Sequence, residues 1–190
     1  MSNRIVVKLG GSLLLEPEVP KRLREWLATK SNDTQVNLIV GGGNLIEALR
    51  EWDAVHSLDP VAMHWRCVRA LHHTYELVAE WLSDAQHVET ASEFESHKQN
   101  HELGVYLIAV DSFYSPNDGD ALPQNWSTTS DSIAALLANK LSVRSLWLLK
   151  SCALQPHLSV EEATDRGIVD PAFLTASRNL NVNWATLQRE

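Results

Sequence analysis

Four short apolar runs along the chain have the length and the β-branched content of buried strands. The runs cover residues 5–9, 36–40, 104–110 and 143–149. Continuous apolar character, rather than strict alternation, is typical of strands that are covered on both faces, as in a parallel sheet. The pattern therefore predicts an α/β protein with a mainly parallel central sheet.

Segments with helical spacing of apolar residues separate these runs. A helix is predicted from Pro17 or Pro20 to about Lys30, and further helices over residues 44–52, 61–83, 133–141, 160–166 and 172–178. Residues 86–100 are expected to form a short strand and a short helix, residues 111–126 a long loop, and residues 182–187 a last strand. The order strand, glycines, helix occurs twice near the start, which favours helical crossovers between parallel strands.

Length and composition set limits on the kind of protein. A chain of 190 residues, 44% hydrophobic and 21% charged, fits one globular domain over residues 1–190. The net charge of -8 and the pI of about 5.4 argue against a broad nucleic-acid or anionic-membrane surface, although not against a local pocket for a small anion. No apolar run is long enough for a signal peptide or a membrane span, so a cytoplasmic location is predicted.

Cysteines and histidines show no metal-ligand spacing. Cys67 and Cys152 are far apart and are expected to be reduced and mostly buried. His64, His72 and His73 are expected at an interface or on the surface of the long helix, and His87, His97 and His101 are expected in solvent. No metal site is therefore predicted from the protein side chains.

Four polar or glycine-rich segments lie at strand ends or at a helix start. They are Lys8-Leu9-Gly10-Gly11-Ser12, Gly41-Gly42-Gly43-Asn44, Thr128-Thr129-Ser130-Asp131-Ser132 and Lys150-Ser151. Because ligands bind beyond the carboxyl ends of parallel strands, these segments can meet at one edge of the sheet. Glycines let backbone amides approach a ligand closely, and a nearby cation makes such a place suitable for phosphate.

Two lysines, two glycine turns and one carboxylate are suited to phosphoryl transfer. That reaction depends on neutralising charge and on in-line positioning. A carboxylate at Asp131 would orient the ammonium groups of Lys8 and Lys150 and keep them protonated. Simpler alternatives remain: Lys8 as a lysine that extends from a strand into solvent, and Asp131 as a helix cap.

The same four segments resemble those of the amino acid kinase family, which contains acetylglutamate, aspartate and uridylate kinases. VVKLGGS is similar to the first phosphate loop, VGGGN to the second glycine loop, TTSDSIAALLA to the segment with the catalytic aspartate, and LLKS to the start of the nucleotide-binding strand. NWSTTSDSIAALLA and ATDRGIVDPAF resemble a short branch that includes the aminomethylfuran-methyl phosphate kinase of methanofuran biosynthesis. The resemblance implies a three-layer αβα sandwich.

The resemblance also implies roles for residues. Lys8, Asp131 and Lys150 would be catalytic in an ATP- and Mg²⁺-dependent transfer of the γ-phosphoryl group to a carboxylate or phosphate acceptor. The residues expected at the ATP phosphates are Gly10, Gly11, Ser12, Lys150 and Ser151. Those expected at the small-molecule acceptor are Gly41, Gly42, Gly43, Asn44, Thr129 and Ser130.

One departure from the family supports a second hypothesis. After LLKS the family usually carries an aspartate–glycine segment, whereas this chain has SCALQPH at residues 151–157. A protein that binds or stores a nucleotide or oxyanion without transferring phosphate is therefore the alternative to a kinase. The intact Lys8, Asp131 and Lys150 favour the kinase.

The long helix over residues 61–83 predicts an oligomer. It carries Met63, Trp65, Tyr75 and Trp81, whose spacing points them in more directions than one core face can bury. Surplus aromatic residues are typical of interface cores, and members of the resembled family commonly dimerise through a helix in this region. A homodimer or a larger homo-oligomer is therefore expected.

Overall fold

A computed structural model describes residues 3–30, 32–119, 122–154 and 158–187. The strands are β1 (Asn3–Leu9), β2 (Thr34–Val40), β3 (Gln86–Val88), β4 (Gly104–Ile108), β5 (Ser145–Lys150) and β6 (Asn181–Thr186). The helices are α1 (Val19–Ala28), α2 (Asn44–His56), α3 (Pro60–Trp81), α4 (Ala91–Gln99), α5 (Ser130–Lys140), α6 (Val160–Asp165) and α7 (Phe173–Ala176). The predicted elements are all present, with boundaries that differ by a few residues.

The six strands form one parallel sheet in the order β3-β4-β2-β1-β5-β6. β1 lies inside the sheet between β2 and β5, so the segments that follow these three strands emerge side by side. Helices cover both faces, which confirms the predicted three-layer α/β architecture.

The sheet separates two apolar cores, one on each of its faces. On one face, α1 and the end of α3 cover alternate side chains such as Val7 and Leu38. On the other face, α5 packs over Val6, Ile39 and Leu148, with α4 and α7 beside it. Since side chains alternate along a strand, the residue two positions after Val6, Lys8, points toward the α5 face. Within the described residues, no helix is long and apolar enough to span a membrane.

Several boundaries differ from the predictions for local reasons. α2 continues past the predicted end at Trp52 to His56, and it ends where Ser57 adopts a left-handed conformation with φ of 49°. α7 has four residues instead of the predicted seven. The predicted loop over residues 111–126 begins with a 3₁₀ turn, Val110–Ser112; residues 120 and 121 of that loop lie outside the described part.

Two histidine predictions are wrong. His97 is buried, and its Nε2 lies 2.6 Å from Oδ1 of Asn37, which in turn donates to the Ile5 carbonyl at 3.0 Å. Burial lowers the pKa of His97 to about 4, so it is a neutral link between α4 and the sheet. His64 is also buried, and its Nε2 lies 2.9 Å from the Tyr114 hydroxyl. Their packing depends on partners at least 50 residues away in the chain.

The aromatic side chains of α3 do not form the expected exposed surplus. Met63, Trp65 and Tyr75 are all buried within the chain, and only Trp81 is half-buried. Trp65 donates from Nε1 to Oε1 of Gln124 at 3.0 Å. The loop that follows β4 thus contacts Trp65, for which the sequence predicted a partner subunit, and Trp65 is a core residue.

The cysteine prediction is also corrected in part. Both thiols are free, as expected, but Cys152 is exposed and Cys67 is half-buried, so neither is fully enclosed. Burial raises the pKa of the Cys67 thiol to about 11, and the thiol is therefore protonated and inert at neutral pH.

Candidate functional site

Two lysines from neighbouring strands extend from the same face of the sheet. Lys8 pairs in register with Leu148 of β5, and Lys150 follows two positions later on that strand. The alternation of side chains therefore places both ammonium groups over the α5 face, with Lys150 one step nearer the carboxyl edge. Both side chains are buried, at 5% and 8% relative exposure. Lys8 is thus not an edge lysine that extends into solvent.

Asp131 joins the two lysines. Its Oδ1 lies 2.9 Å from Nζ of Lys8, and Nζ of Lys150 donates to both carboxylate oxygens at 3.0 and 2.8 Å. The helix cap is a different residue: Thr129 is the N-cap of α5, and its hydroxyl accepts from the Asp131 backbone N–H at 3.3 Å. The carboxylate of Asp131 is therefore available to hold the lysines.

The charges of this cluster act strongly on one another because all three side chains are buried. Burial disfavours the charged form of Asp131, but the ammonium groups of Lys8 and Lys150 outweigh it and hold the pKa of Asp131 below its ordinary range. Burial lowers the pKa of Lys8, and the Asp131 carboxylate opposes that effect. Two lysines thus share one carboxylate, and Asp170 is a second carboxylate whose charge acts on Lys8. Two ammonium groups in the wall of a cavity suit an anionic ligand such as a phosphate group.

A carboxylate from the tail, Asp170, fixes the start of α5. Its Oδ2 accepts from the backbone N–H and hydroxyl of Thr129 at 3.0 and 2.7 Å and from the Ser132 N–H at 3.2 Å, while Oδ1 accepts from the Ser132 hydroxyl. Two residues earlier, the Ile168 carbonyl accepts from Nζ of Lys150 at 2.7 Å. The tail therefore positions both the helix that carries Asp131 and the lysine that contacts it.

The two predicted glycine loops lie directly against each other at the carboxyl edge. The Gly10 N–H donates to the Leu149 carbonyl at 2.8 Å, and the Gly41 N–H donates to the Leu9 carbonyl at 2.9 Å. A methyl group added at Gly11 would lie 2.0 Å from the Gly43 nitrogen, which leaves no space for a side chain. Gly43 has φ of +53°, a conformation that disfavours other residues. Contact between the loops explains the glycines at these positions.

Gly11→Ala is expected to separate these loops and to lower the free energy of unfolding by about 1–3 kcal/mol, because the backbone must move to admit the methyl group. Gly119→Ala is the matched control: it strains the backbone at φ of +66°, but a methyl group there would meet nothing within 4 Å. Urea denaturation compares the two, and an equal or smaller loss for Gly11→Ala would contradict the contact.

A cavity of about 270 Å³ opens over the cluster and the loops. Its wall contains most of the residues that the sequence singled out: Lys8, Gly10, Gly11, Ser12, Gly42, Gly43, Asn44, Thr129, Ser130 and Lys150. Gly41 lies just below, against Ser130 and the Lys8 side chain. Ser151 is brought to the site by Ser12, whose hydroxyl lies 2.7 Å from its own. The four segments thus converge as predicted.

One part of the cavity wall was not predicted from the sequence. Four apolar side chains line it: Ile46, Val68, Leu71 and Ile133. Arg50 lies with its guanidinium 4.2 Å from the centre of the Trp126 ring, and its Nε lies 3.2 Å from Oε2 of Glu47. Residues from α2, α3, α5 and the loop before α5 come together here, and no local pattern in any one of them indicates these contacts.

Asp170 and His64 are the other site residues that sequence reasoning missed. Asp170 lies 39 residues beyond Asp131, between two short helices, and resembles an ordinary helix-flanking aspartate. His64 was assigned to a surface or an interface, but it lines the cavity. Only the resemblance of the tail segment ATDRGIVDPAF to a kinase branch gave any signal for Asp170.

A bound metal would depend on the ligand as well as the protein. In the described residues, no group of three or more His, Cys, Asp or Glu side chains is arranged to hold a metal ion. Mg²⁺ commonly binds through substrate phosphates and water, with one or two carboxylates. The cationic cluster and the glycine amides fit the phosphate groups that would bring such an ion.

Comparison with solved structures identifies the fold. UMP kinase from Ureaplasma parvum matches with a TM-score of 0.67 and 15% identity over 98% of this chain and 91% of that one. Uridylate kinase from Archaeoglobus fulgidus matches with 0.62 and 17% identity over 96% and 90%. UMP kinase from Bacillus anthracis matches with 0.63 and 13% identity over 98% and 87%. At these identities the likeness concerns the fold alone.

Comparison of the sequence itself is more specific. No curated protein matches it. The model of the amino acid kinase family matches residues 3–153, a span that includes both glycine loops, Asp131 and Lys150. The match runs over β1 to β5 and holds the whole lysine–aspartate cluster. The chain therefore belongs to the amino acid kinase family.

Proposed function

We propose that this protein is an ATP-dependent phosphotransferase that transfers the γ-phosphoryl group to the carboxylate or phosphate of a small acceptor. The observation that carries the proposal is the buried Lys8–Asp131–Lys150 cluster, whose two lysines line a cavity together with residues of both glycine loops. Membership of a kinase family supports it. The whole chain, residues 1–190, would act as one catalytic domain.

In this proposal each part has a distinct task. Lys8 and Lys150 neutralise the charge that develops on the transferring group, and Asp131 holds their ammonium groups in place. The Gly11 amide, with the Ser12 and Ser151 hydroxyls, binds the phosphates of ATP, and Gly10, whose own N–H is paired with the Leu149 carbonyl, lets the backbone approach them closely. Gly42, Gly43 and Asn44 hold the acceptor on the opposite side. Mg²⁺ would enter with the ATP phosphates and neutralise part of their charge.

The acceptor is proposed to be a phosphomonoester. The tail segment resembles the branch that contains the aminomethylfuran-methyl phosphate kinase, and the solved structures of similar fold are UMP and uridylate kinases. A carboxylate acceptor is the alternative within the same chemistry. Transfer to a phosphomonoester forms a phosphoanhydride, and transfer to a carboxylate forms an acyl phosphate.

The test is ADP release from ATP and Mg²⁺ with a panel of small phosphomonoesters and carboxylates, UMP among them. Turnover that depends on an acceptor and is lost in Lys150→Met supports the kinase. Lys21→Met, at an exposed position on α1, is the matched control and should retain turnover. Tight binding of ATP without turnover for any acceptor would instead support the nucleotide-binding or storage function, which the missing aspartate–glycine segment favours.

We also propose that the protein forms a homodimer, with α2 in the contact. None of the residues of α2 is buried, and Leu45, Trp52 and Val55 expose 40%, 62% and 76% of their surface. These residues share one side of the helix, since they are separated by seven and three positions. We therefore place the dimer contact at α2 and at Val61, which is 47% exposed at the start of α3, instead of at the aromatic residues of α3.

Light scattering at micromolar concentration is expected to give twice the chain mass of 21.3 kDa. Trp52→Glu should shift the protein toward a monomer, because it places a charge in the apolar contact. Leu174→Glu, at a 40% exposed position on α7, is the control and should leave the mass unchanged. A wild-type mass near 21.3 kDa would reject the dimer. A dimer that persists in Trp52→Glu would exclude α2 from the contact.

A further inference from the structure

We infer that Asp170 is a positioning residue for phosphoryl transfer, with its carboxylate acting as a second counter-ion of the lysine cluster and its hydrogen bonds fixing the start of α5. The inference rests on the proposed kinase function. It concerns the tail of the chain, because Asp170 lies beyond residues 3–153, the span that the family model matches.

The first observation is a buried carboxylate with neutral partners. Asp170 is 6% exposed, and the four groups that bond to it are the backbone N–H groups and the hydroxyls of Thr129 and Ser132. Backbone N–H groups can only donate, so these contacts fit an ionised carboxylate. Burial raises the pKa of Asp170, although the hydrogen bonds from Ser132 and Thr129 oppose that rise. Because these donors are neutral, a nearby cation is expected to balance the charge that burial disfavours.

The second observation is the charge of the lysine cluster. Lys8 and Lys150 share the single carboxylate of Asp131, so the cluster taken alone has one ammonium group in excess. Burial lowers the pKa of Lys8, the Asp131 carboxylate raises it, the Lys150 charge lowers it, and the Asp170 carboxylate raises it. Asp170 thus supplies the second negative charge, and the four buried groups balance as two cations and two anions.

The third observation is the placement of the turn that contains Asp170. Residues 168–170 lie between α6 and α7, and Phe173 of α7 is buried in the core on the α5 face. In the same turn, the Ile168 carbonyl accepts from Nζ of Lys150 at 2.7 Å. One short turn of the tail therefore contacts both the catalytic lysine of β5 and the first turn of α5.

A purely structural role is the simpler explanation, in which Asp170 only holds the first turn of α5. That role depends on hydrogen bonds, whereas the counter-ion role depends on charge, and two substitutions separate them. Asp170→Asn removes the charge and keeps an oxygen that can accept a hydrogen bond. Ser132→Ala removes one hydrogen bond to Asp170 and keeps the charge.

The first measurement is the affinity for ATP with Mg²⁺, determined by calorimetry without an acceptor from about pH 7 to about pH 10. Wild-type affinity should fall at alkaline pH as Lys8 loses its proton, and Lys8→Met should show no such fall. In Asp170→Asn the fall should begin about one pH unit lower, because a negative charge no longer favours the protonated form of Lys8. Ser132→Ala is the matched control and should follow the wild-type curve.

Three results would overturn the inference. An ATP affinity that does not depend on alkaline pH, or no ATP binding at all, would mean that ATP does not use the charge of Lys8. A curve for Asp170→Asn that coincides with the wild-type curve would remove the counter-ion role. An equal shift in Ser132→Ala would mean that loosening of α5 causes the shift.

Circular dichroism shows whether each variant is folded at each pH. Asp170→Ser, which also lacks the charge and keeps an acceptor oxygen, replaces Asp170→Asn if that variant does not fold. If neither variant folds, Asp170 serves the fold alone, and the positioning role is rejected.

Turnover separates this inference from the kinase proposal. At neutral pH with an acceptor, Asp170→Asn should lower kcat about tenfold while the KM for ATP stays about the same, because a displaced Asp131 affects the transfer step more than binding. An unchanged kcat in folded Asp170→Asn would reject the positioning role. Failure of the kinase proposal would instead appear as absent ADP release in the wild type, while the shift in the pH dependence of ATP binding persists.

Discussion

Lys8→Met is expected to lower acceptor-dependent ADP release by about a thousandfold, since the loss of a charge aimed at the transferring group commonly has effects of that size. The fold should persist. Asp131 keeps its two contacts to Lys150 at 3.0 and 2.8 Å, so no buried carboxylate is left without a partner. Lys8→Arg should also be nearly inactive, because a planar guanidinium does not reproduce a compact ammonium in a buried position.

The measurement is steady-state turnover together with circular dichroism, which shows whether the variant is folded. Lys21→Met provides the comparison, since that lysine is exposed on α1, which covers the face of the sheet opposite the cluster. Wild-type turnover in a folded Lys8→Met protein would remove Lys8 from the mechanism. The buried Lys8 and its 2.9 Å contact with Asp131 would then contribute only to the stability of the fold.

Asp131→Asn is expected to have the largest combined effect, with turnover reduced about a thousandfold and about 3–5 kcal/mol lost from the free energy of unfolding. The asymmetry with Lys8→Met follows from the contacts. Asparagine leaves two buried ammonium groups with no carboxylate between them, whereas either lysine substitution leaves one complete ion pair. Helix capping is unaffected, because the N-cap is Thr129.

The pH dependence of stability provides a second readout for Asp131. Its pKa in the folded state lies below its ordinary value of 3.8. The unfolded chain therefore binds a proton more readily, and the stabilisation by Asp131 is full above pH 3.8 and is lost as pH falls toward the folded value. The difference in unfolding free energy between wild type and Asp131→Asn should thus narrow below about pH 4.

Two results would contradict this account. Full turnover in Asp131→Asn would mean that the carboxylate does not orient the lysines during transfer. A stability loss no larger than that of Lys8→Met would mean that the two ammonium groups are neutralised by another group. Asp170 is the nearest candidate, because it is buried and its charge also acts on Lys8.

Local sequence determined the elements and the position of each candidate site along them. Lys8, the glycines and Lys150 lie at or just after the ends of short apolar runs whose length and β-branched content indicate buried strands. Hydrophobic periodicity of 2 or 3.6 residues indicates which local positions are buried. The same local signals placed Asp131 at the start of a helix. These features depend on neighbours within about ten residues, and for that reason they could be predicted.

Tertiary structure decided which of these residues meet. The strand order places β1 between β2 and β5, and only that order brings Lys8, Gly43 and Lys150 to one edge. The direction of Lys150 depends on contacts with Asp131 and Ile168, 19 and 18 residues away. The hydrophobic periodicity of one element does not indicate such contacts, because they form only when separate elements pack together.

The same reason explains the residues that the sequence misplaced or left out. His97 has a polar sequence around it and His64 lies between Met63 and Trp65, yet neither local sequence indicates the partners, 60 and 50 residues away, to which these histidines bond in the interior. Asp170 reaches α5 across about 40 residues of chain. Thr128 and Thr129 are the same residue type and are adjacent in the chain. Packing nevertheless pairs the Thr129 hydroxyl with Asp170 and leaves the Thr128 hydroxyl buried without a partner among the described residues. Sequence supplied the residue types of this site, and the packing of distant elements assigned their contacts, because burial of a polar group is decided by what lies opposite it in space.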